Sequence, residues 1–463
     1  DGGIGKIVEY FGPGLVNLTA MDRHVIANMG TELGATTTVF PSDERVQRFL
    51  RAQGREEVWT PILPDTDAAY DETDEIDLSR QEPLIALPSS PGNVVAVSEV
   101  AGREIYQAYI GSSANPGLRD FAVPALMVNE KQVHDRVSLD INPTSRQILE
   151  NLANLGLLEK LIRSGARIHQ AGCNGCIGMG QAPATGKISL RTVPRNFPGR
   201  SGTKEDQVYL CSPETAAASA LTGVITDPRT LNADYPHFSE PDVIRINTQM
   251  LLAPPDSGKG IELEKGPNIK PLPLFEPLAD TLWGPVLLKV GDDVSTDEIM
   301  PAGAQVLPYR SNIPEISKYA FIRLDDSFYD RAVRHQQQGF IILAGNNYGQ
   351  GSSREHAAIA PRYLGLKAVI AKSFARIDGQ NLINLGMLSL TFVDSADYNH
   401  IEQGDELEII DVRLILRQGN QIQVANQTKN ETYDTQHTLS ERQIEMILEG
   451  SLINVVRKRQ IRA

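Results

Sequence analysis

The chain has 463 residues, 41% of them apolar and 22% charged, with 28 prolines, three cysteines and a formal net charge of -14. This length exceeds what one hydrophobic core serves, so two or three domains are expected. The acidic balance disfavours broad nucleic-acid binding, no apolar run approaches membrane-spanning length, and three cysteines fit a reducing compartment, which gives the expectation of a cytoplasmic protein.

The start, Asp1-Gly2-Gly3-Ile4-Gly5, has neither an initiating Met nor the basic-then-apolar form of a signal peptide, and reads as cut from something longer. Next comes Asn28-Met29-Gly30-Thr31-Glu32-Leu33-Gly34-Ala35-Thr36, where Glu32 lies among small residues. A carboxylate so placed either becomes buried and tuned in its protonation, or caps a helix. Residues 93–100 and 105–110 read as strands, 145–163 as one amphipathic helix, and 166–170 as a short strand.

That strand leads into Gly172-Cys173-Asn174-Gly175-Cys176-Ile177-Gly178. Two thiolates two residues apart on a glycine turn bite one metal or cluster, form a redox dithiol, or make half of a zinc site. None of the eight histidines pairs at ligand spacing, and glycines after Cys176 argue against the helix that a redox dithiol opens. Farther on, Arg195-Asn196-Phe197-Pro198-Gly199-Arg200 puts two guanidinium groups around a turn; they clamp the carboxylates of a polyacid, or are surface arginines. Ser212-Pro213-Glu214 caps a helix that Gly223 closes.

Between about 241 and 279 the pattern dissolves into Pro, Gly and Lys, as a linker does. After it come the acidic run Asp292-Asp293-Val294-Ser295-Thr296-Asp297-Glu298, Arg310, a strand over 339–344, a helix over 354–364 and a strand over 367–372. Residues 407–424 and a Ser440-capped helix complete the chain. The first of these strands runs into Gly345-Asn346-Asn347-Tyr348-Gly349-Gln350-Gly351-Ser352-Ser353-Arg354-Glu355-His356. Strand, glycine loop and helix start aim backbone N-H groups into one space; there Ser352 is either an alkoxide base beside Arg354 or a plain helix N-cap.

Taken in order, these motifs resemble the aconitase family over nearly the whole chain. The resemblance implies a multi-domain α/β protein with α/β/α sandwich domains over 1–88 and 89–240, a linker over 241–279, and a C-terminal swivelling β/β/α domain over 280–463. It implies a hydro-lyase that isomerises citrate and isocitrate through cis-aconitate on a [4Fe-4S] cluster, with isopropylmalate or homoaconitate isomerisation, or a catalytically silent binding or regulatory homologue, as alternatives. Cys173 and Cys176 match two cluster ligands, Ser352 the base, and Glu32 and Asp297 further catalytic or site-lining groups. Arg195, Arg200, Arg310, Ser353, Arg354 and Asn28 match substrate-binding residues, with the site expected where the cysteines and Ser352 meet.

Three departures accompany it. Ser113, in Gly111-Ser112-Ser113-Ala114-Asn115, stands where the family carries its first cluster cysteine, and an oxygen is a harder ligand for iron than sulfur. Cys211 reads as a small buried apolar residue rather than its substitute. Pro194 stands where related sequences carry Asn, and the family's leading domain is not in this sequence, so turnover is expected to need a missing segment or a separate chain. The implied partner is a small tricarboxylate, with neither membrane nor nucleic acid.

Overall fold

The computed structural model describes residues 2–302, 305–351 and 354–462. The chain divides into two compact units, Asp1–Gly258 and Lys259–Ala463, with the boundary inside the Pro/Gly-rich stretch; no helix or strand is found from 231 to 281. No helix is long and apolar enough to cross a membrane among the described residues.

In the first unit, β1 (Ile7–Glu9) and β2 (Thr37–Val39) form a parallel pair joined through the helix Ala20–Met29. The helix begins where Thr19 and Asp22 cap each other's backbone amides. This segment buries little: over residues 2–83, Pro41 and Ala52 are the buried apolar side chains, while Ile4, Ile7, Phe11, Val16, Leu33, Ile62 and Leu63 are exposed.

The rest of the unit is one seven-stranded sheet. Its strands are β3 (Leu84–Ala86), β4 (Val94–Ala96), β5 (Gln107–Ile110), β6 (Ser138–Ile141), β7 (Arg167–Ile168), β8 (Ile188–Arg191) and β9 (Gln207–Cys211), in the spatial order β4-β3-β9-β8-β5-β6-β7. The five strands from β9 to β7 are parallel; β3 and β4 extend the edge antiparallel. From β5 the chain winds through β6 to β7, then returns to β8 on the other side of β5. The strand order therefore reverses between β5 and β8, where an open parallel sheet parts its loops and admits a ligand at the strands' carboxyl ends. Ile110, Leu139, Ile141 and Leu190 from the strands share a core with Phe121, Leu161 and Ala216 from the covering helices.

Two expected elements differ. The run 93–100 bends into a helical turn at Val97–Val100, because the Glu99 carboxylate accepts the Ala96 amide (3.1 Å). The single helix expected over 145–163 is two, Arg146–Asn154 and Leu157–Arg163, parted at Gly156 with φ 69°. Apolar spacing continues across the break, so periodicity alone does not reveal it.

The second unit is a closed barrel. Its strands β10 (Leu282–Val290), β11 (Phe340–Ala344), β12 (Leu366–Ala371) and β13 (Leu388–Phe392) are parallel, and β16 (Glu431–Gln436), β15 (Gln421–Asn426) and β14 (Glu406–Ile409) return antiparallel to close on β10. Along β11, Ile341 and Leu343 enter one core while Phe340, Ile342 and Ala344 enter another. The period-two alternation thus buries both faces, which explains the unbroken apolar run.

Candidate active site

The predicted residues of the first unit converge on the carboxyl ends of β5, β7 and β8. Ser113 follows β5, the cysteine loop follows β7, and the two arginines follow β8. The loops after β5 and β8 open at the reversal of strand order, and the cysteine loop, which follows the edge strand β7, reaches back to the end of β8 through the Gly175 carbonyl.

Cys173 and Cys176 hold their sulfurs 3.5 Å apart as free thiols, Cys173 exposed and Cys176 buried. Cys176 sits among Ala86, Tyr109, Val193, Val208 and Leu210. The hydrogen bond from Cys176, then the amide and hydroxyl of Ser113, then the positive field of Arg200 favour a thiolate at Cys173 against the cost of its burial. The same shared proton, with burial, pushes the Cys176 thiol up. Ser113 is therefore in contact with the pair. Asn28 donates to the Ser113 carbonyl (3.0 Å) and fixes that turn from the helix Ala20–Met29.

Behind the turn, Ser112 Oγ donates to the Thr192 carbonyl (2.6 Å), and Thr192 Oγ1 accepts the Gly111 amide (2.9 Å), locking the ends of β5 and β8 together.

Arg195 grips Glu32 through Nε, at 2.7 and 2.9 Å from the two carboxylate oxygens, and both side chains are nearly enclosed, at 8% and 13% exposure. Burial pushes the Glu32 carboxyl above its ordinary value, while Arg195 and the field of Arg200 pull against that rise. Asn196 donates to the carbonyls of Leu87 (2.7 Å) and Val208 (3.1 Å), which sets the arginine turn. Glu32, Arg195, Arg200, Ser113 and the thiols thus act on one another.

Two residues that hold the cysteine loop were not among the sequence candidates. Arg191, fully buried at the end of β8, donates to the carbonyls of Gly175 (2.6 Å) and Gln181 and to Gln107 Oε1 (2.7 Å), with its guanidinium over the Tyr109 ring. Asn142, after β6, donates to the carbonyls of Gln170 and Gly172 (2.9 Å each) and accepts from the Tyr109 hydroxyl (2.9 Å). The available signal is a charged residue ending the buried run Ile188-Ser189-Leu190-Arg191, and an amide between Ile141 and Pro143. Glycine is required at Gly178: φ is 77°, and a Cβ there would lie 2.1 Å from the Ser201 carbonyl oxygen.

In the second unit the candidates follow β10 and β11. Arg354 pairs with Asp297 and donates to the Met300 carbonyl (3.2 Å), and His356 donates Nε2-H to the Arg310 carbonyl (2.8 Å). Asp297 belongs to a turn that Ser295 and Glu298 cap reciprocally. Ser352 and Ser353 lie outside the described residues.

Among the described residues, no three His, Cys, Asp or Glu side chains gather as a metal site. The donor set is two thiols and the Ser113 hydroxyl, in mutual contact beside a cationic side chain. The soft sulfur pair suits iron and sulfide, and the third corner is an oxygen, so these residues fit an iron-sulfur cluster with a mixed ligand set. Cys211 ends β9 opposite Ile85 and packs on the main core, as a small apolar residue does.

Comparison with known proteins identifies the family. The profile of the aconitase family (aconitate hydratase) matches residues 1–104 and 98–223, and that of the aconitase C-terminal domain matches 310–395. Among curated relatives, mitochondrial homocitrate dehydratase of Saccharomyces cerevisiae is 31% identical over 98% of this chain and 67% of its own length. A putative mitochondrial aconitate hydratase of Aspergillus fumigatus is 32% identical over 99% and 66%, and the mitochondrial aconitate hydratase of S. cerevisiae 30% over 98% and 67%. The chain thus spans about two thirds of the length of these relatives. A solved 3-isopropylmalate dehydratase (leuD) from Methanocaldococcus jannaschii is 34% identical over 39% of this chain and 96% of its own, with a TM-score of 0.32. The expectation of a cytoplasmic protein is overturned, because these curated relatives are mitochondrial by name. Few cysteines report a reducing environment, and that does not distinguish one such compartment from another.

Proposed function

This chain belongs to the aconitase family, a family of hydro-lyase enzymes, and from that premise we propose that it dehydrates and rehydrates a hydroxy tricarboxylic acid of the citrate or homocitrate type. The observation that carries the reading is the convergence of Ser113, Cys173, Cys176, Arg200 and the Arg195–Glu32 pair at the point where the sheet reverses its strand order.

In this reading Cys173, Cys176 and Ser113 hold an iron-sulfur cluster. When bound, the cluster supplies a Lewis acid that makes a hydroxyl a better leaving group. Arg200 places a cation where a substrate carboxylate is received, and an arginine fork gives such a group two parallel donors. Glu32, with its carboxyl raised by burial and that rise tempered by Arg195 and Arg200, is placed to give or take a proton. Asn28 and Thr192 keep the Ser113 turn in register with the arginines. For the second unit, taken by itself, we propose the roles that the family resemblance implies, Ser352 as a base and Ser353, Arg354, Asp297 and Arg310 as catalytic or substrate-binding groups.

Ile4, Ile7, Phe11, Val16, Leu33, Ile62 and Leu63 stand exposed in a segment that buries few apolar side chains, and we propose that a missing segment or a separate chain covers them. Calorimetric titration of the cluster-loaded protein with citrate, homocitrate and isopropylmalate tests the substrate class. A tricarboxylate is expected to bind at least tenfold more tightly than the dicarboxylate, and Arg200→Ala to remove most of that difference. Equal affinity for all three, unchanged in the variant, refutes the reading.

A further inference from the structure

In the second unit, beneath the loop that follows β11, lies a group of polar side chains with no hydrogen-bond partners among the described residues. Asp378, the third residue of the helix Arg376–Asn384, is fully buried, and neither of its carboxyl oxygens has a hydrogen-bond partner. The Tyr348 hydroxyl, also fully buried, and Asn381 Nδ2, one turn along the same helix, are likewise without partners. Buried polar groups left unpaired are rare and costly, and three in one place mark a position held for a purpose other than packing.

The loop presses directly on the carboxyl. Gly349 has φ 81°, and a Cβ built on it would lie 2.3 Å from Asp378 Cβ and 2.4 Å from Asp378 Oδ2. On its other side the loop is pinned by the amides of Gly349 and Gln350, both donating to the Val294 carbonyl (2.8 and 3.1 Å), and by the Thr296 amide donating to the Gln350 carbonyl (2.9 Å). The turn is thus held between the Asp378 helix and the segment that carries Asp297.

We propose that Asp378 is a positioning residue for the 345–351 loop, holding the loop in place while its carboxyl is protonated and releasing it when the proton leaves. Assigning the loop to the active site rests on the function proposed above; the coupling between carboxyl and loop does not. An ionised carboxylate that accepts no hydrogen bond does not stay enclosed, so its charge is relieved by movement of the backbone that covers it. Burial alone pushes the Asp378 carboxyl up to about 7. On the loop side Tyr348 faces it, with its own hydroxyl pushed well up by burial and then by the Asp378 charge. Of the helices packed against this one, His356–Tyr363 carries His356 and Arg362, and Glu441–Leu448 carries Glu441, Arg442 and Glu445. None of these acts on the Asp378 carboxyl.

The test uses the whole protein without substrate. Hydrogen exchange of residues 345–351, expressed as protection factors, is followed with pH, alongside the carboxyl carbon signals of 13C-aspartate-labelled protein. Loop protection is expected to fall about tenfold per pH unit between the ordinary aspartate value of about 4 and about 7, then level off. Asp378→Asn should flatten that profile while retaining protection, and remove one carboxyl signal whose titration midpoint matches the pH at which the wild-type profile levels off. No carboxyl titrating near neutrality, or an identical profile in Asp378→Asn, overturns the proposal. If the variant does not fold, the coincidence of the wild-type levelling point with the carboxyl titration midpoint decides, and divergence of more than about one unit counts against it. If the loop responds as described but no tricarboxylate binds, the functional reading fails and this inference stands; tricarboxylate binding without a loop response is the reverse.

Discussion

Arg195 and Glu32 are 163 positions apart in sequence and meet in a nearly closed pocket. Removing one partner of such a pair leaves the other charge buried alone, which costs more than the pair itself contributes. Arg195→Ala should therefore lose about 3–5 kcal/mol of stability at neutral pH, measured by urea denaturation. The folded-state carboxyl of Glu32 is already raised by burial and rises further without its counter-charge, so protonation relieves the defect. The deficit should be largest above the raised value and shrink as pH falls below it; a deficit independent of pH contradicts the pairing. The motifs around both residues were legible in the sequence, because arginine forks and a carboxylate among glycines announce themselves by type. Arg191, Asn142 and Asp378 were not, since each acts by meeting groups from distant strands or loops, and a single buried polar residue in an apolar run has no period to betray it.

At the scale of elements, the cysteine loop keeps its shape through backbone contacts rather than through a core. Arg191 and Asn142 between them accept the load of four loop carbonyls, and Gly178 passes against Ser201 where no side chain fits. Gly178→Ala should shift the loop, cost about 2 kcal/mol or more, and speed the reaction of buried Cys176 with a thiol reagent several-fold. Labelling at the wild-type rate would show that the loop tolerates the methyl group. Strand and helix positions in both units followed from alternation and capping signals, as with the helix Pro213–Thr222 between Ser212 and Gly223. What escaped were breaks inside continuous patterns, at Ala96 and Gly156, where one local hydrogen bond or one left-handed residue outweighs the periodicity of its neighbours.

Across the whole molecule, both units put their sequence motifs at the carboxyl ends of parallel strands: β5, β7 and β8 in the open sheet, β10 and β11 in the barrel. Within each unit, motifs far apart in the chain thus collect because parallel strands all point the same way, a regularity that the order of motifs in the chain conveys only through the resemblance to a family. The central claim is that Ser113, Cys173 and Cys176 together hold an iron-sulfur group. It is tested most directly by reconstituting the protein anaerobically with iron and sulfide, removing unbound metal, and counting both elements alongside the visible absorption. The account predicts stoichiometric iron and sulfide in the natural sequence, slower loss in Ser113→Cys because sulfur replaces a harder oxygen, and loss of nearly all of it in Cys176→Ser. Equal retention by the natural protein and Cys176→Ser, whether of metal or of none, would contradict it.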